Sequence, residues 1–196
     1  MTVWVLWFTI NFAYYGMLLW LRSIVLSKGF SLVQSFGYTL SMTFMQLPGY
    51  LLAAWLIERI GRKRVLTTFI VVTANSAYGF GASGSLATLL LFGSGLNFFN
   101  LGAWGALYTY TSELYPPLLR ARGSGFAAGF GRIGSVIVPY TVGFLMSAQF
   151  ETSDICWLFF AVLMIGGLTV LSIGPETKGQ IWGDKKLAEE KERRLN

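Results

Sequence analysis

Long uncharged stretches, separated by short segments that contain charges, prolines or glycines, run along the whole chain. A helix needs about 20 predominantly apolar residues to cross a bilayer, and the stretch 65–112 is long enough for two crossings. Its glycine-rich segment 79–85, GFGASGS, predicts the turn between them. The pattern therefore predicts six membrane-spanning helices. They lie at 3–21, at 31–57, in the two parts of 65–112, in a glycine-rich span after Arg122, and at 155–175.

Composition supports a membrane protein and excludes several other classes. The chain is 54% hydrophobic and 12% charged, whereas soluble proteins carry about 25% charged residues. Its single cysteine and its lack of histidine exclude an internal disulfide, a cysteine–histidine zinc site and a histidine-based catalytic triad. We therefore expect an all-α protein of the lipid bilayer that is not an enzyme and needs no metal or cofactor.

The distribution of positive charge predicts the topology. The segment from Glu58 to Arg64, ERIGRKR, holds four cations between two apolar stretches, and short loops rich in Lys and Arg face the cytoplasm. Twelve of the 15 basic residues fall in this loop, at Arg120 and Arg122, and after Pro175. We expect a multi-pass protein of the cell membrane with both termini cytoplasmic. Residues 1–178 then form the bundle and 179–196 a charged tail. Because topology accounts for these cations, nucleic acid is not needed as a partner.

Polar and aromatic residues recur within the spans at helical spacing, so that they share faces. A polar group that faces lipid is costly and usually turns toward a cavity or another helix. Amide and aromatic groups suit a small polar or aromatic solute, although the same groups also join helices or anchor them at interfaces. The candidate substrate-binding residues are Asn11, Tyr14, Tyr15, Gln46, Asn97, Asn100, Trp104 and Tyr108.

Charged residues near the same membrane surface form a second candidate site. Arg132 lies inside the fifth span, where an unpaired arginine costs about 2.5–3.5 kcal/mol at the membrane centre, so we expect a partner and predict Glu113. These residues can form a charge network at the inner surface, or they can be a static set of topology charges. The predicted set is Glu58, Arg59, Gly61, Arg62, Lys63, Glu113, Arg120, Arg122 and Arg132.

Two glycine motifs have simpler explanations than nucleotide binding. G-x-G-x-x-G occurs at 79–84 and at 129–134, but neither copy joins a strand to a helix as a dinucleotide site requires. The second copy overlaps Gly125-x-x-x-Gly129, and small residues at this spacing let helices approach closely in lipid. We therefore predict helix packing at this motif.

Three segments together resemble the major facilitator superfamily. The segment 58–63 is similar to the loop signature of that family, with Glu58 where Asp is usual and Ala54 where Gly is preferred. Glu113-Leu-Tyr-Pro116 with the two following arginines, and Pro-Glu-Thr-Lys-Gly at 175–179, strengthen the match. The ending resembles that of sugar-porter type facilitators, and 104–113 is more similar to metabolite:proton symporters.

The resemblance implies one half of a twelve-helix transporter, namely helices seven to twelve. It implies a missing N-terminal six-helix half as partner and a small solute as substrate, carried by alternating access. It also implies a gating role for the predicted charge set, because in that family such networks close the cytoplasmic side in one state and separate in the other. An organic acid, a vitamin-like aromatic compound and a sugar all remain open, as do proton symport and uniport. No Asp or Glu lies deep in a span, so a proton-carrying carboxylate would come from elsewhere. The alternatives are a self-associating six-helix protein and a remnant without transport activity.

Overall fold

Seven α-helices make up the fold of the computed structural model, which describes residues 2–27, 29 and 31–179. In chain order these are α1 (Thr2–Ser27), α2 (Leu32–Phe44), α3 (Gln46–Ile60), α4 (Arg62–Gly81), α5 (Leu86–Leu114), α6 (Arg120–Ser147) and α7 (Thr152–Ile173). Within the described residues all regular secondary structure is helical. The predicted all-α fold is confirmed.

Helices α2 and α3 together occupy the predicted second span and are separated only at Met45. Pro48 explains the interruption, because proline has no N–H to donate and its ring crowds the carbonyl four residues earlier, that of Phe44. If α2 and α3 are counted together as one continuous rod, the described chain forms six rods, which correspond to the six predicted spans. Three predicted boundaries were wrong. Helix α1 continues past Arg22, only Gly61 separates α3 from α4 within the predicted loop 58–64, and α4 includes Gly79 and Gly81, so that the following turn begins at Ala82.

Five stretches of the described chain are long and apolar enough to cross a membrane. They are Thr2–Leu19, Leu32–Ile60, Leu86–Leu114, Arg120–Ser147 and Thr152–Ile173. The remaining rod, α4, has 20 residues and begins with three cations. It packs against α5 and α7 along its length, and more than half of its residues are buried. Its three leading cations and several polar residues make α4 less hydrophobic than the other rods.

Close packing of α6 on α1 depends on glycines other than those predicted. A Cβ at Gly131 would lie 2.8 Å from the carbonyl oxygen of Trp7, and one at Gly134 would lie 2.7 Å from that of Phe8. Gly125 and Gly129 do not pack the helices of this chain together, because a Cβ at either position meets nothing within 4 Å, and their packing against another bundle stays a prediction. The close approach occurs two to five residues beyond Gly129 along α6.

Among the described residues, the cationic loops lie at one end of the bundle, the charged end, where α3, α5 and α7 end and α4 and α6 begin, whereas the start of α7 at the other end carries Glu151 and Asp154. Helix α1 also begins at the charged end, because Trp7 donates a hydrogen bond to Thr111 near the end of α5 (3.0 Å). The first helix therefore begins at the end of the bundle where the last one finishes. The predicted tail 179–196 lies outside the described residues except for Gly179.

Candidate functional site

Three of the predicted polar stripes come together near the middle of the bundle. Tyr14, Gln46, Asn97 and Asn100 line one small cleft between α1, α3 and α5. The Nε2 atom of Gln46 donates to Oδ1 of Asn97 (2.7 Å), and Nδ2 of Asn97 donates to the carbonyl of Gly93 (2.9 Å). The bond between Gln46 and Asn97 joins α3 to α5. Gln46 and Asn97 thus have a structural role in addition to lining the cleft.

Aromatic rings continue this surface along α5 and α1. Trp104 packs edge-to-face against Tyr14 (centroids 5.7 Å apart) and against Trp7 (5.5 Å), and Tyr108 packs against Trp7 (5.0 Å). Tyr108 is 55% exposed, whereas Trp7 is 2% exposed. The sequence-based selection missed Trp7, although it precedes Asn11 and Tyr14 by one and two helical turns. We call the set Tyr14, Gln46, Asn97, Asn100 and Trp104 the polar face.

Several polar atoms on or beside the polar face have no hydrogen-bond partner among the described residues. They are Oδ1 of Asn100, Nε1 of Trp104 and Oδ1 of Asn11. Asn100 is 3% exposed and Trp104 is 8% exposed, so water does not readily replace a partner in the folded bundle. A buried polar atom without a partner costs about 1–3 kcal/mol, which makes these atoms candidates for contact with a ligand.

Asn11 lies apart from the cleft. Its Nδ2 atom donates to the carbonyl of Trp7 (2.7 Å), and its side chain is fully buried against Gly131 of α6. Asn11 therefore sits in the α1–α6 interface, whereas Tyr14 on the same helix lines the cleft. Tyr15 packs edge-to-face on Tyr14 (5.4 Å) and extends the aromatic surface toward α6.

Arg132 contacts the aromatic surface and not Glu113 as predicted. Its Nη1 atom donates to the hydroxyl of Tyr15 (2.6 Å), and its Cζ atom lies 5.7 Å from the centroid of that ring. The predicted pair was wrong because Arg132 is 12 residues into α6, about 18 Å along the helix axis, whereas Glu113 is at the end of α5. Arg132 thus belongs to the middle of the bundle.

At the charged end, Arg62 joins three segments of the chain. Its Nε atom donates to both carboxylate oxygens of Glu113 (2.9 and 3.0 Å), Nη2 donates to Glu58 (3.1 Å), and Nη1 donates to the carbonyl of Ile57 (3.2 Å). The Arg62 side chain is 13% exposed, that of Glu113 27% and that of Glu58 72%. The pair with Glu113 is therefore the better shielded one.

Other members of the predicted charge set lie around this network. Arg59 is exposed and lies 5.2 Å from the ring centroid of Trp55, and Lys63 contributes its backbone N–H to Glu176 (3.3 Å). Arg120 and Arg122 are exposed at the start of α6. Both ion pairs recorded for the described residues contain Arg62.

Glu176 caps the N-terminus of α4. Its Oε1 atom accepts from the backbone N–H groups of Arg62 (2.9 Å), Lys63 (3.3 Å), Thr177 (3.0 Å) and Lys178 (3.2 Å). Burial alone would raise the pKa of this carboxyl, but these N–H groups stabilise the ionised form and lower its pKa. The positive end of the α4 dipole also favours a negative charge at this position.

Residues around Glu176 tie the end of α7 to α3 and α5. Thr177 donates to Glu113, Lys178 donates to the carbonyl of Arg59 (2.7 Å), and the carbonyl of Pro175 accepts from Tyr110 (2.9 Å). The sequence identified Pro-Glu-Thr-Lys-Gly only as a signature, because these contacts join residues 64 to 119 positions apart. We call Glu58, Arg62, Glu113, Glu176 and Thr177 the end cluster.

Comparison with known proteins gives this architecture a family. The family model described as "Major Facilitator Superfamily" matches residues 34–195. Among solved structures, the proton:xylose symporter XylE superposes with a TM-score of 0.76 over 91% of this chain and 40% of that one, at 19% identity. At this identity the likeness concerns the fold alone.

Two curated relatives are closer in sequence. The "Putative niacin/nicotinamide transporter NiaP" of Bacillus subtilis (strain 168) is 51% identical over 89% of this chain and 44% of its own length. The "Niacin transporter NiaP" of Acinetobacter baylyi is 45% identical over 91% of this chain and 40% of its own length. The chain thus spans less than half the length of these relatives, which are named as transporters and not as enzymes. It is a multi-pass membrane protein that belongs to the Major Facilitator Superfamily, and its six rods form one half of the family's fold.

Proposed function

We propose that this chain forms one wall of a membrane passage for a small aromatic solute of the niacin class. The observation that carries the proposal is the polar face, where buried hydrogen-bonding atoms without partners lie among aromatic rings. Such a surface offers stacking area to a planar ring and directional bonds to its polar substituents. The names of the two curated relatives support niacin or nicotinamide over a sugar.

A second six-helix bundle would supply the opposite wall. Transporters of this architecture bind solutes near the bilayer midplane between two bundles and expose the site alternately to each side. Tyr15 and Arg132 each lie near the middle of a long helix, which fits a site at that depth. The charged end would face the cytoplasm of a cell-membrane protein by the positive-inside rule.

The end cluster would then close the cytoplasmic mouth of the passage in one state. Its ion pairs and caps connect the ends of α3, α5 and α7 with the start of α4, so that these rods are held at a fixed spacing. Rocking of one bundle against the other would form and break contacts at this end. Arg120 and Arg122, which are exposed beside it, are available to the opposite bundle.

Uptake by complemented cells tests the proposal. Cells without niacin uptake would receive this chain, the part of the B. subtilis relative that this chain does not cover, or both, and the initial uptake of radiolabelled niacin and nicotinamide would be measured. We expect uptake of at least one of the two solutes only in cells that contain both parts. The corresponding segment of the relative itself, expressed in the same split manner, is the matched control.

The alternatives predict different results in these cells. A self-associating six-helix protein would give uptake with this chain alone, accompanied by a defined dimer crosslinked between chains. A remnant without transport would give none in any combination, although the matched control restores uptake and this chain is present in the membrane. Either result would refute the proposed two-part passage.

A further inference from the structure

Arg132 is a cation in the middle of a membrane helix without an acidic partner in the spans of its own chain. Glu58 and Glu113 stand at helix ends and share Arg62, while Glu151 and Asp154 begin α7. The remaining acidic residues lie at or beyond position 176. An ionisable residue within a membrane span is expected to face a cavity or a pathway and to meet a counter-charge there.

Arg132 lies on a side of α6 that the other described helices leave uncovered. Its neighbours Gly131 and Gly134 pack directly on α1, whereas Arg132 itself is exposed and turns to Tyr15. The Tyr15 hydroxyl accepts from Nη1, and the contacts of the described residues leave the Nε and Nη2 groups for another acceptor. Tyr15 holds the guanidinium in place without neutralising its charge.

Aromatic rings lead from Arg132 to the polar face without a break. The guanidinium carbon of Arg132 lies 5.7 Å from the ring centroid of Tyr15. The ring centroids of Tyr15 and Tyr14 are 5.4 Å apart, and those of Tyr14 and Trp104 are 5.7 Å apart. A planar ring placed on this surface can direct an anionic substituent at the guanidinium. Guanidinium groups bind carboxylates through two parallel, charge-assisted hydrogen bonds.

We infer that Arg132, positioned by Tyr15, binds the carboxylate of an anionic aromatic solute and makes the passage selective for acids over neutral amides. This inference rests on the proposed function and names the charge of the solute. Niacin and nicotinamide provide a matched pair of probes, because they share one ring and differ in carrying a carboxylate or a neutral carboxamide.

The test compares initial uptake rates of the two probes in the complemented cells. Arg132→Gln should lower niacin uptake by about tenfold or more, because a charge-assisted pair is lost, while nicotinamide uptake changes by less than about twofold. Arg132→Lys should restore part of the niacin rate, since it restores the charge without the planar fork. Tyr15→Phe should lower niacin uptake by a smaller factor.

Arg64→Gln is the matched control for loss of one positive charge. Arg64 is exposed on α4 and belongs to neither the polar face nor the end cluster, so both uptake rates should remain those of the unsubstituted protein. Protein levels in the membrane, measured for every variant, separate lost uptake from lost protein.

Each other outcome overturns the inference in a recognisable way. Unchanged niacin uptake in Arg132→Gln removes the carboxylate contact. Equal loss of both probes means that Arg132 supports the assembly, for example by pairing with an acid of the second bundle. If the unsubstituted pair of bundles carries only nicotinamide, the proposed passage stands and the anion selectivity fails, whereas uptake of neither probe removes both.

Discussion

The end cluster and the polar face are both built from polar side chains between helices, yet they treat their hydrogen bonds differently. In the end cluster, Arg62 meets two carboxylates and a carbonyl, and Glu176 accepts four backbone N–H groups. On the polar face, Asn100 and Trp104 keep buried atoms without partners. The polar groups of the end cluster therefore find their hydrogen-bond partners within the chain, whereas the polar face keeps donors and acceptors that are not used among the described residues.

This difference separates a structural connection from a binding surface. Satisfied polar groups fix the geometry of the elements they join, and removing one partner leaves the other unpaired. Unsatisfied groups reduce the stability of the empty protein, and that cost is recovered when a ligand supplies the missing partners. Substitutions in the end cluster should therefore lower stability, whereas those on the polar face should change solute binding.

Gly61→Ala should produce the largest loss of stability. Gly61 has a φ of +101°, where a side chain is strained, and a Cβ there would lie 2.7 Å from Oε2 of Glu176. Strain and the displaced cap together should lower the free energy of unfolding by about 2–3 kcal/mol. The thermal unfolding midpoint of the detergent-solubilised chain measures this.

Gly84→Ala is the control for that substitution. Gly84 lies in the turn at the opposite end of the bundle, and a Cβ there meets nothing within 4 Å. Its unfolding midpoint should match that of the unsubstituted chain. Equal midpoints for both variants would show that the backbone at Gly61 and the Glu176 cap beside it do not stabilise the end cluster.

Glu176→Gln should have an intermediate effect that depends on pH. Because the folded-state pKa of Glu176 is below its ordinary value of 4.5, its stabilising effect is complete above that value and is lost as the pH falls through the folded-state pKa. At neutral pH the variant should lose about 1 kcal/mol of stability, as for a removed helix cap.

Unfolding midpoints measured from neutral to acidic pH reveal this dependence. The unsubstituted chain should lose stability at acidic pH more steeply than Glu176→Gln. Glu58→Gln, which removes a carboxylate that is 72% exposed, should keep the steeper slope. Parallel curves for Glu176→Gln and the unsubstituted chain would contradict the capping role.

The smallest effect on stability should come from the deletion of a single hydroxyl group on α5. Tyr110→Phe removes the hydroxyl that donates to the carbonyl of Pro175, and it should cost about 0.6 kcal/mol, a typical value for such bonds in membrane proteins. Trp104→Phe is not a matched deletion, because it replaces a buried indole with a smaller ring and therefore also loses packing. An unfolding midpoint for Tyr110→Phe equal to that of the unsubstituted chain would contradict the structural role of this hydrogen bond.

Periodicity and charge were sufficient to predict six rods and the charged end, because both depend on spacing along the chain. The interruption at Met45 was also accessible from Pro48, but the exact ends of α1 and α4 were not. The partner of Arg132 was predicted wrongly because the choice between Glu113 and Tyr15 depends on how far apart two helices place them. Likewise, the cap formed by Glu176 joins residues more than 100 positions apart, and sequence spacing carries no signal for it.

The most direct test of the binding role assigned to the polar face is the concentration dependence of solute uptake in the complemented cells for Trp104→Phe and Tyr110→Phe. We expect the KM for the transported solute, niacin or nicotinamide, to rise several-fold in Trp104→Phe, because the indole N–H donor is lost while a smaller aromatic ring keeps part of the stacking surface. Tyr110→Phe should keep the KM of the unsubstituted protein. An unchanged KM in Trp104→Phe, at equal protein levels, would contradict the assignment of the unpaired groups to solute binding.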